Sequence, residues 1–404
     1  MAAELSRPGP GARTDLSTSL RSIAWQASGS IATLGAALWV SWRFGLAAQG
    51  EFGLARSWFD AAAALACFGV PQGVLHVLYR LGAAPGPLRA LLRRGWVALF
   101  VAAALAAGLL WGHGFALAAV VVATAPIGAA HLCARSFLLA QRGVVAYGAA
   151  TALPALLALA AVVMAGLNPV APDFVAWLAA AIVAAAAISV SFAWRAATVV
   201  TSSPAGAVPL RALRDVSLQS WLQAALAALL GAALLGAIAA LGQRGDALGM
   251  ASLGLHVYQA CVVLAGYVSP LLFDRWARER APQASAWLTR ARRPMAVATA
   301  LAAAALAVAL WAPALAPWLV PAALMGLAGL AAMAARLAGT VLLARGAYVE
   351  LTVQALCRLL VALGVLVTTL PWFGAASALA IALLVIELGT WWRAAAVARR
   401  SAAP

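Results

Sequence analysis

Nine ionisable side chains sit inside stretches otherwise apolar enough for hydrocarbon: Arg56, Asp60, His131, Arg135, His256, Arg336, Glu350, Arg358 and Glu387. An ionised group at the centre of a membrane helix costs roughly 2.5–3.5 kcal/mol on insertion scales, so each calls for a partner or a wet cavity. Arg56 and Asp60 are one helical turn apart, the spacing of an i, i+4 ion pair. Arg56 lies close enough to the outer boundary to snorkel. Asp60 is deeper, and either pairs with Arg56 or takes up H+ or Na+. Glu350, Gln354 and Arg358 recur every fourth residue and make one polar stripe. Arg358 is the interior arginine furthest from water, and Glu350 is ~12 Å away along the helix, too far for a tight pair. Either a carboxylate from another helix neutralises Arg358, or it stands free to meet an anion. His131 and Arg135 share one helix face, and Arg336 occupies a similar level later in the chain. Gln26 belongs to a neutral stripe with Ser22, Ser30 and Thr33, which faces water or other helices rather than lipid.

Four interior arginines (56, 135, 336, 358) stand against three carboxylates (Asp60, Glu350, Glu387), with Glu350 near the interface. Guanidinium groups bind phosphate oxygens through paired, charge-assisted hydrogen bonds. This balance favours an anionic ligand, with Arg358, Arg135, Arg336, Arg56, Gln26 and Gln354 as cleft candidates. Asp60, Glu387 and Glu350 are the candidates for ion coupling. For an enzyme the signs are poor, because no acidic motif, no Ser/His/Asp spacing and no phosphate-binding loop is present. No cofactor is called for. The four cysteines lie singly in separate apolar runs, which offers neither a disulfide framework nor a metal cluster.

These side chains need membrane helices to position them. With 65% hydrophobic and 9% charged residues, the chain lacks the charged surface of a soluble fold. Continuous apolar runs of about 20 residues span a bilayer as helices, and they exclude a β-barrel. The net charge of +16 is no nucleic-acid signal: all 27 basic residues are Arg, and what counts is where they sit. Twelve helices are expected at 19–42, 52–80, 92–111, 115–141, 144–166, 172–195, 211–241, 246–273, 294–312, 321–344, 347–370 and 373–397. Gly45 to Gly53 reads as a polar link between the first two. Arginines crowd the links on one side, while the other side holds Arg43 and Arg244. This bias places both termini in the cytoplasm.

The chain also repeats itself. A shift of 196 residues lays Gly53 on Gly249, Ala55 on Ala251 and Trp25 on Trp221; RGVVAY from Arg142 returns as RGAY from Arg345, and WRAA from Trp194 returns from Trp392. Matches in one order at similar offsets point to a duplication of six helices. An even repeat keeps both halves in one orientation, related by an axis along the membrane normal with a cleft between them. The expected organisation is a cytoplasmic tail (1–18), an N-terminal six-helix lobe (19–198), a cytoplasmic linker (199–210), a C-terminal six-helix lobe (211–398) and a tail (399–404). The class is all-α integral membrane.

Two six-helix lobes resemble the multidrug/oligosaccharidyl-lipid/polysaccharide exporter superfamily. The phrase FGLAAQGEFGLA (Phe44 to Ala55), and the RG pairs ending the fourth and tenth helices, resemble its polysaccharide flippase branch. The usual proline of that first link is replaced by Ala47-Ala48-Gln49. The resemblance implies a flippase that moves a polyprenyl-diphosphate-linked oligosaccharide across a bacterial inner membrane for surface polysaccharide biosynthesis. It also implies membrane lipids and polysaccharide assembly proteins as partners, and no nucleic acid. The alternative within the superfamily is a multidrug/cation antiporter. From another class, the rival is a polytopic membrane enzyme such as a polysaccharide polymerase or glycosyltransferase.

Overall fold

The computed structural model describes residues 16–81, 85–167, 173–197, 210–278, 316–344 and 348–400, with scattered positions between 296 and 312. The expected linker 199–210 (all but its last residue), most of the N-terminal tail, the end of the C-terminal tail, the second RG pair and most of the ninth helix lie outside the described residues.

The described elements are helical: α1 (Leu16–Phe44), α2 (Leu46–Ala66), α3 (Val70–Leu75) with a π-helical turn His76–Arg80, α4 (Pro85–Gly112), α5 (Ala116–Gly166), α6 (Phe174–Ala197), α7 (Leu210–Ala240), α8 (Asp246–Arg278), α9 (Ala316–Ala344) and α10 (Tyr348–Arg400). Among the described residues, six helices are long and apolar enough to cross a membrane, or seven if the bent pair α2–α3 is one span. The chain is a multi-pass membrane protein.

The 51 residues of α5 and 53 of α10 exceed twice the ~20 needed to span a bilayer. Each breaks at one glycine with positive φ, Gly143 (φ 79°) and Gly374 (φ 72°). Side-chain pairs show that both fold back there. In a straight helix Arg135 and Tyr147 would stand ~18 Å apart along the axis, yet the Arg135 guanidinium donates to the Tyr147 hydroxyl at 2.9 Å. Arg358 and Glu387 would be ~44 Å apart, yet they form an ion pair. Gly143 and Gly374 fall at or within two residues of the links expected after 141 and after 370.

Pairings also set the helix directions. Ser22 donates to the Val144 carbonyl, Trp39 to that of Val162 and Arg43 to that of Gly166. The indices rise together, so α1 runs parallel to the second arm of α5. Between the halves, Leu65 meets Trp221, while Gly69 and Gly73 face Ser217 and Leu213. Here one index falls as the other rises, so α2–α3 runs antiparallel to α7. The start of α2 lies on the start of α8, and both run the same way from that end.

Two apolar cores separate accordingly, while a third, around Val74, Leu88, Phe137 and Leu138, reaches across to Leu213 of α7. One joins α7, α8, α9 and α10 around Leu234, Ile238, Met325 and Leu383. Another joins α1, α2, α5 and α6 around Val40, Phe52, Phe59 and Leu178. Between them runs a seam of small residues. A Cβ on Gly50 would lie 3.0 Å from the Gly249 nitrogen, and one on Gly53 only 1.8 Å from the Ser252 Oγ. Such close approach of backbones is how membrane helices associate without a hydrophobic driving force.

The structure corrects the expected polar link from Gly45 to Gly53. The chain turns at Gly45 alone (φ 89°), and helix resumes at Leu46. Gln49 and Gly50 look like loop residues in sequence. They are buried in the helix because they face α8, where Gln49 Nε2 donates to Ser252 Oγ at 3.1 Å and Ser252 donates back to the Gln49 carbonyl at 3.2 Å.

Candidate functional site

The interior charges fall into three groups, one at the seam and one in each half. At the seam, Arg56 turns its guanidinium to another helix. Its helix starts ten residues earlier, which puts Arg56 ~15 Å along the axis of α2. It donates to Thr33 of α1 at 3.1 Å. Asp60 lies on the same face, with its carboxylate 4.0 Å from Arg56 Nε, and its side chain is 69% exposed while that of Arg56 is 17% exposed. A Cβ on Gly53, one turn before Arg56, would touch the His256 ring of α8 at 3.4 Å. This face of α2 therefore looks into the junction of the two halves, and Asp60 presents an accessible carboxylate there.

The neutral stripe on α1 turns toward other helices. Gln26 is buried and donates to Ser22 at 3.2 Å, and Ser22 bonds the second arm of α5. Thr33 hands its own proton to the Gly29 carbonyl, which frees its oxygen to accept from Arg56.

In the N-terminal half, Arg135 hydrogen-bonds Tyr147 and lies over its ring, 5.0 Å from the centroid. Among the described residues no carboxylate pairs with it. His131, one turn before, is buried with both ring nitrogens unpartnered. Phenol and ring face stabilise a guanidinium partly but leave its positive charge in place.

In the C-terminal half the expected alternatives for Arg358 resolve. Glu387 neutralises it across the hairpin and also accepts from the Tyr258 hydroxyl of α8. Glu387 is fully buried, while 14% of the Arg358 side chain is exposed. Arg358 and Glu387 sit ~24 and ~20 Å from the Gly374 turn by helix rise, which is deep in the hairpin. Arg336 on α9 contributes a further positive charge toward Tyr258. Glu350 is exposed near the start of α10, and Gln354 is half-buried between it and Arg358. The stripe therefore does not converge on one group. Glu387 instead serves Arg358, so a free phosphate station at Arg358 does not fit this geometry.

Two participants escaped the sequence reading. Tyr258 is a polar-tipped residue in an apolar helix, and such a hydroxyl needs a buried partner; that signal was present. The Gln49–Ser252 pair had none, because its members are 203 residues apart.

No family model matches the chain, and no curated protein matches it. Solved structures do. A multidrug resistance MATE family transporter of the MOP superfamily, in an inward-facing conformation, aligns over 95% of this chain and 100% of its own, with 15% identity and TM-score 0.63. The MATE multidrug transporter DinF-BH aligns over 99% and 98%, with 16% identity and TM-score 0.60. A MOP superfamily transporter from Pyrococcus furiosus aligns over 94% and 95%, with 13% identity and TM-score 0.55; it is described as having a binding pocket of reverse polarity that suggests a different function. At these identities the likeness establishes the fold: this chain has the fold of MOP superfamily transporters. The polysaccharide flippase branch gains no such support.

Proposed function

We propose that the chain is an alternating-access membrane transporter, with twelve spans in two six-helix lobes (19–198 and 211–398) and both termini on the cytoplasmic side of a bacterial inner membrane. The observation that carries this reading is the seam between α2 and α8. Each lobe has its own apolar core, whereas the seam is built from Gly50, Gly53, Gly249 and Ser252 with one reciprocal hydrogen-bonded pair. Apolar contacts between the halves flank this seam, with Leu54 against the C-terminal core and Leu213 in a core with Val74, Val77 and Leu138, and lobes that rock about the seam would have to part them.

For the cargo, export of small amphiphilic organic cations leads, with Asp60 coupling transport to H+ or Na+. The accessible carboxylate at the junction supports this, as does the resemblance in fold to transporters described as multidrug exporters. Glu387 is the poorer coupling group because Arg358 and Tyr258 already hold it. A second reading keeps a specific observation in its favour. Arg135 has a neutral partner and no described carboxylate, a suitable station for the diphosphate of a polyprenyl-linked oligosaccharide. Deleting the gene separates the two. Drug hypersusceptibility with intact surface polysaccharide supports the first; lost polysaccharide with lipid-linked oligosaccharide stranded on the cytoplasmic leaflet supports the second. In proteoliposomes, Asp60→Asn should abolish efflux driven by an imposed H+ or Na+ gradient, and undiminished gradient-driven efflux would remove Asp60 from the mechanism.

A further inference from the structure

The break between α2 and α3 bends the helix axis by 50°. Phe68 sits at the break with φ 47°, the one non-glycine residue with positive φ among the described residues. The Trp221 indole of α7 fixes the break in two ways: its Nε1 donates to the Leu65 carbonyl at 2.9 Å, and its ring lies 5.4 Å from that of Phe68. The bend opens a surface groove between α3 and the first turns of α7, with a volume of about 540 Å³, lined by Phe68, Val70, Leu210, Leu213, Ser217 and Leu218, with Arg211 and Arg214 also on its wall. One side belongs to the N-terminal lobe and the other to the C-terminal lobe.

Three features describe what this groove accepts. Its walls are apolar and open, with Phe68, Leu210 and Leu218 each about half exposed. Its mouth is cationic: Arg211 and Arg214 share the single carboxylate of Asp215, at 3.8 and 3.0 Å, and their side chains remain 90% and 67% exposed. Its floor holds Ser217, 6% exposed, whose hydroxyl has no hydrogen-bond partner. Charged residues occupy only the first turns of α7; from Val216 the helix is uncharged, and from Ala224 it is apolar. The mouth therefore lies at the membrane boundary and the walls just inside it.

We propose that this groove binds an anionic membrane lipid, with the phosphate at Arg211 and Arg214 and an acyl chain along Phe68, Val70 and Leu218. A free phosphate has no use for the apolar walls, and a zwitterionic lipid gains little from two arginines sharing one carboxylate. A lipid seated there touches both lobes and favours the arrangement in which α3 and α7 are packed. The proposal rests on the membrane reading but not on any cargo.

The test uses the purified full-length chain in a neutral detergent and reads the thermal unfolding midpoint. Phosphatidylglycerol should raise the midpoint, whereas phosphatidylcholine and inorganic phosphate should not. Arg211→Gln with Arg214→Gln should leave the lipid-free midpoint in place and require roughly 30-fold more phosphatidylglycerol for the same shift, from about 1 kcal/mol per basic residue near an anionic surface. Leu218→Glu keeps both arginines and should lose the shift by blocking the chain. An equal shift with phosphatidylcholine, or an undiminished one in either variant, overturns the site. A shift reproduced by inorganic phosphate overturns the lipid as occupant. Failed transport assays beside an intact lipid shift would count against the proposed function alone.

Discussion

The two halves of the chain handle the same problem, an arginine inside a helical hairpin, in different ways. In the N-terminal lobe the α5 hairpin holds Arg135 with the Tyr147 phenol. In the C-terminal half the α10 hairpin holds Arg358 with the Glu387 carboxylate, which also accepts a hydrogen bond from the Tyr258 hydroxyl. Both use a tyrosine, and both depend on a positive-φ glycine to reverse the chain. Among the described residues, only the α10 hairpin gives its arginine a counter-charge. The Arg358–Glu387 pair is closed on itself, with Arg336 as a further positive charge beside it, whereas Arg135 has a neutral phenol as its partner. Two similar hairpins therefore need not carry the same site.

The largest effect should come from breaking the closed unit. Arg358→Ala leaves Glu387 buried without its partner, and a stranded buried charge costs about 3–5 kcal/mol. Thermal unfolding in detergent should show this as a marked loss of stability. The pair Arg358→Met with Glu387→Gln should recover most of it, because the charge is removed with its partner. Equal damage from the single and double changes would show that the pair does more than neutralise itself.

Next in size is a change at the seam. Gly53→Ala places a methyl group where the Ser252 hydroxyl now lies, and overpacking of this kind costs about 1–3 kcal/mol. Since the strain exists only while the seam is closed, the variant should populate the parted state. An accessibility assay with a thiol reagent at Gln49→Cys would then label faster than in a Gly53 background. An unchanged labelling rate would mean that the seam stays shut.

The smallest effect on stability is expected at Arg135. Arg135→Gln keeps a donor for Tyr147 and removes a charge that has no described counter-ion, so the unfolding midpoint should hardly move. Its effect should appear in transport. Cationic drug efflux should persist or rise, while flipping of a lipid diphosphate should fall. This single change sharpens the contrast between lobes, since Arg358→Gln should impair both activities through stability.

Much of this architecture was legible in the sequence. The reversals at Gly143 and Gly374 fall at or near links read from breaks in the apolar runs. The start of α2 was misread because polarity within a membrane protein has two meanings. Gln49 and Gly50 are polar or small because they face another helix, and composition alone cannot separate that from a solvated turn. Glu387 was legible as a buried carboxylate, but its partner was not. Arg358 lies 29 residues away, and only the folded hairpin makes the two neighbours.

The central claim is that the lobes part at the α2–α8 seam during transport. Gln49 and Ser252 are both fully buried there and bonded to each other. A Gln49→Cys, Ser252→Cys variant, made after replacing the native Cys67, Cys133, Cys261 and Cys357, can be locked by oxidation and released by a reductant. The measurement is gradient-driven transport in proteoliposomes before oxidation, after it, and after reduction. Alternating access predicts that oxidation stops transport and reduction restores it. Transport at the full rate through an oxidised, cross-linked seam would contradict it.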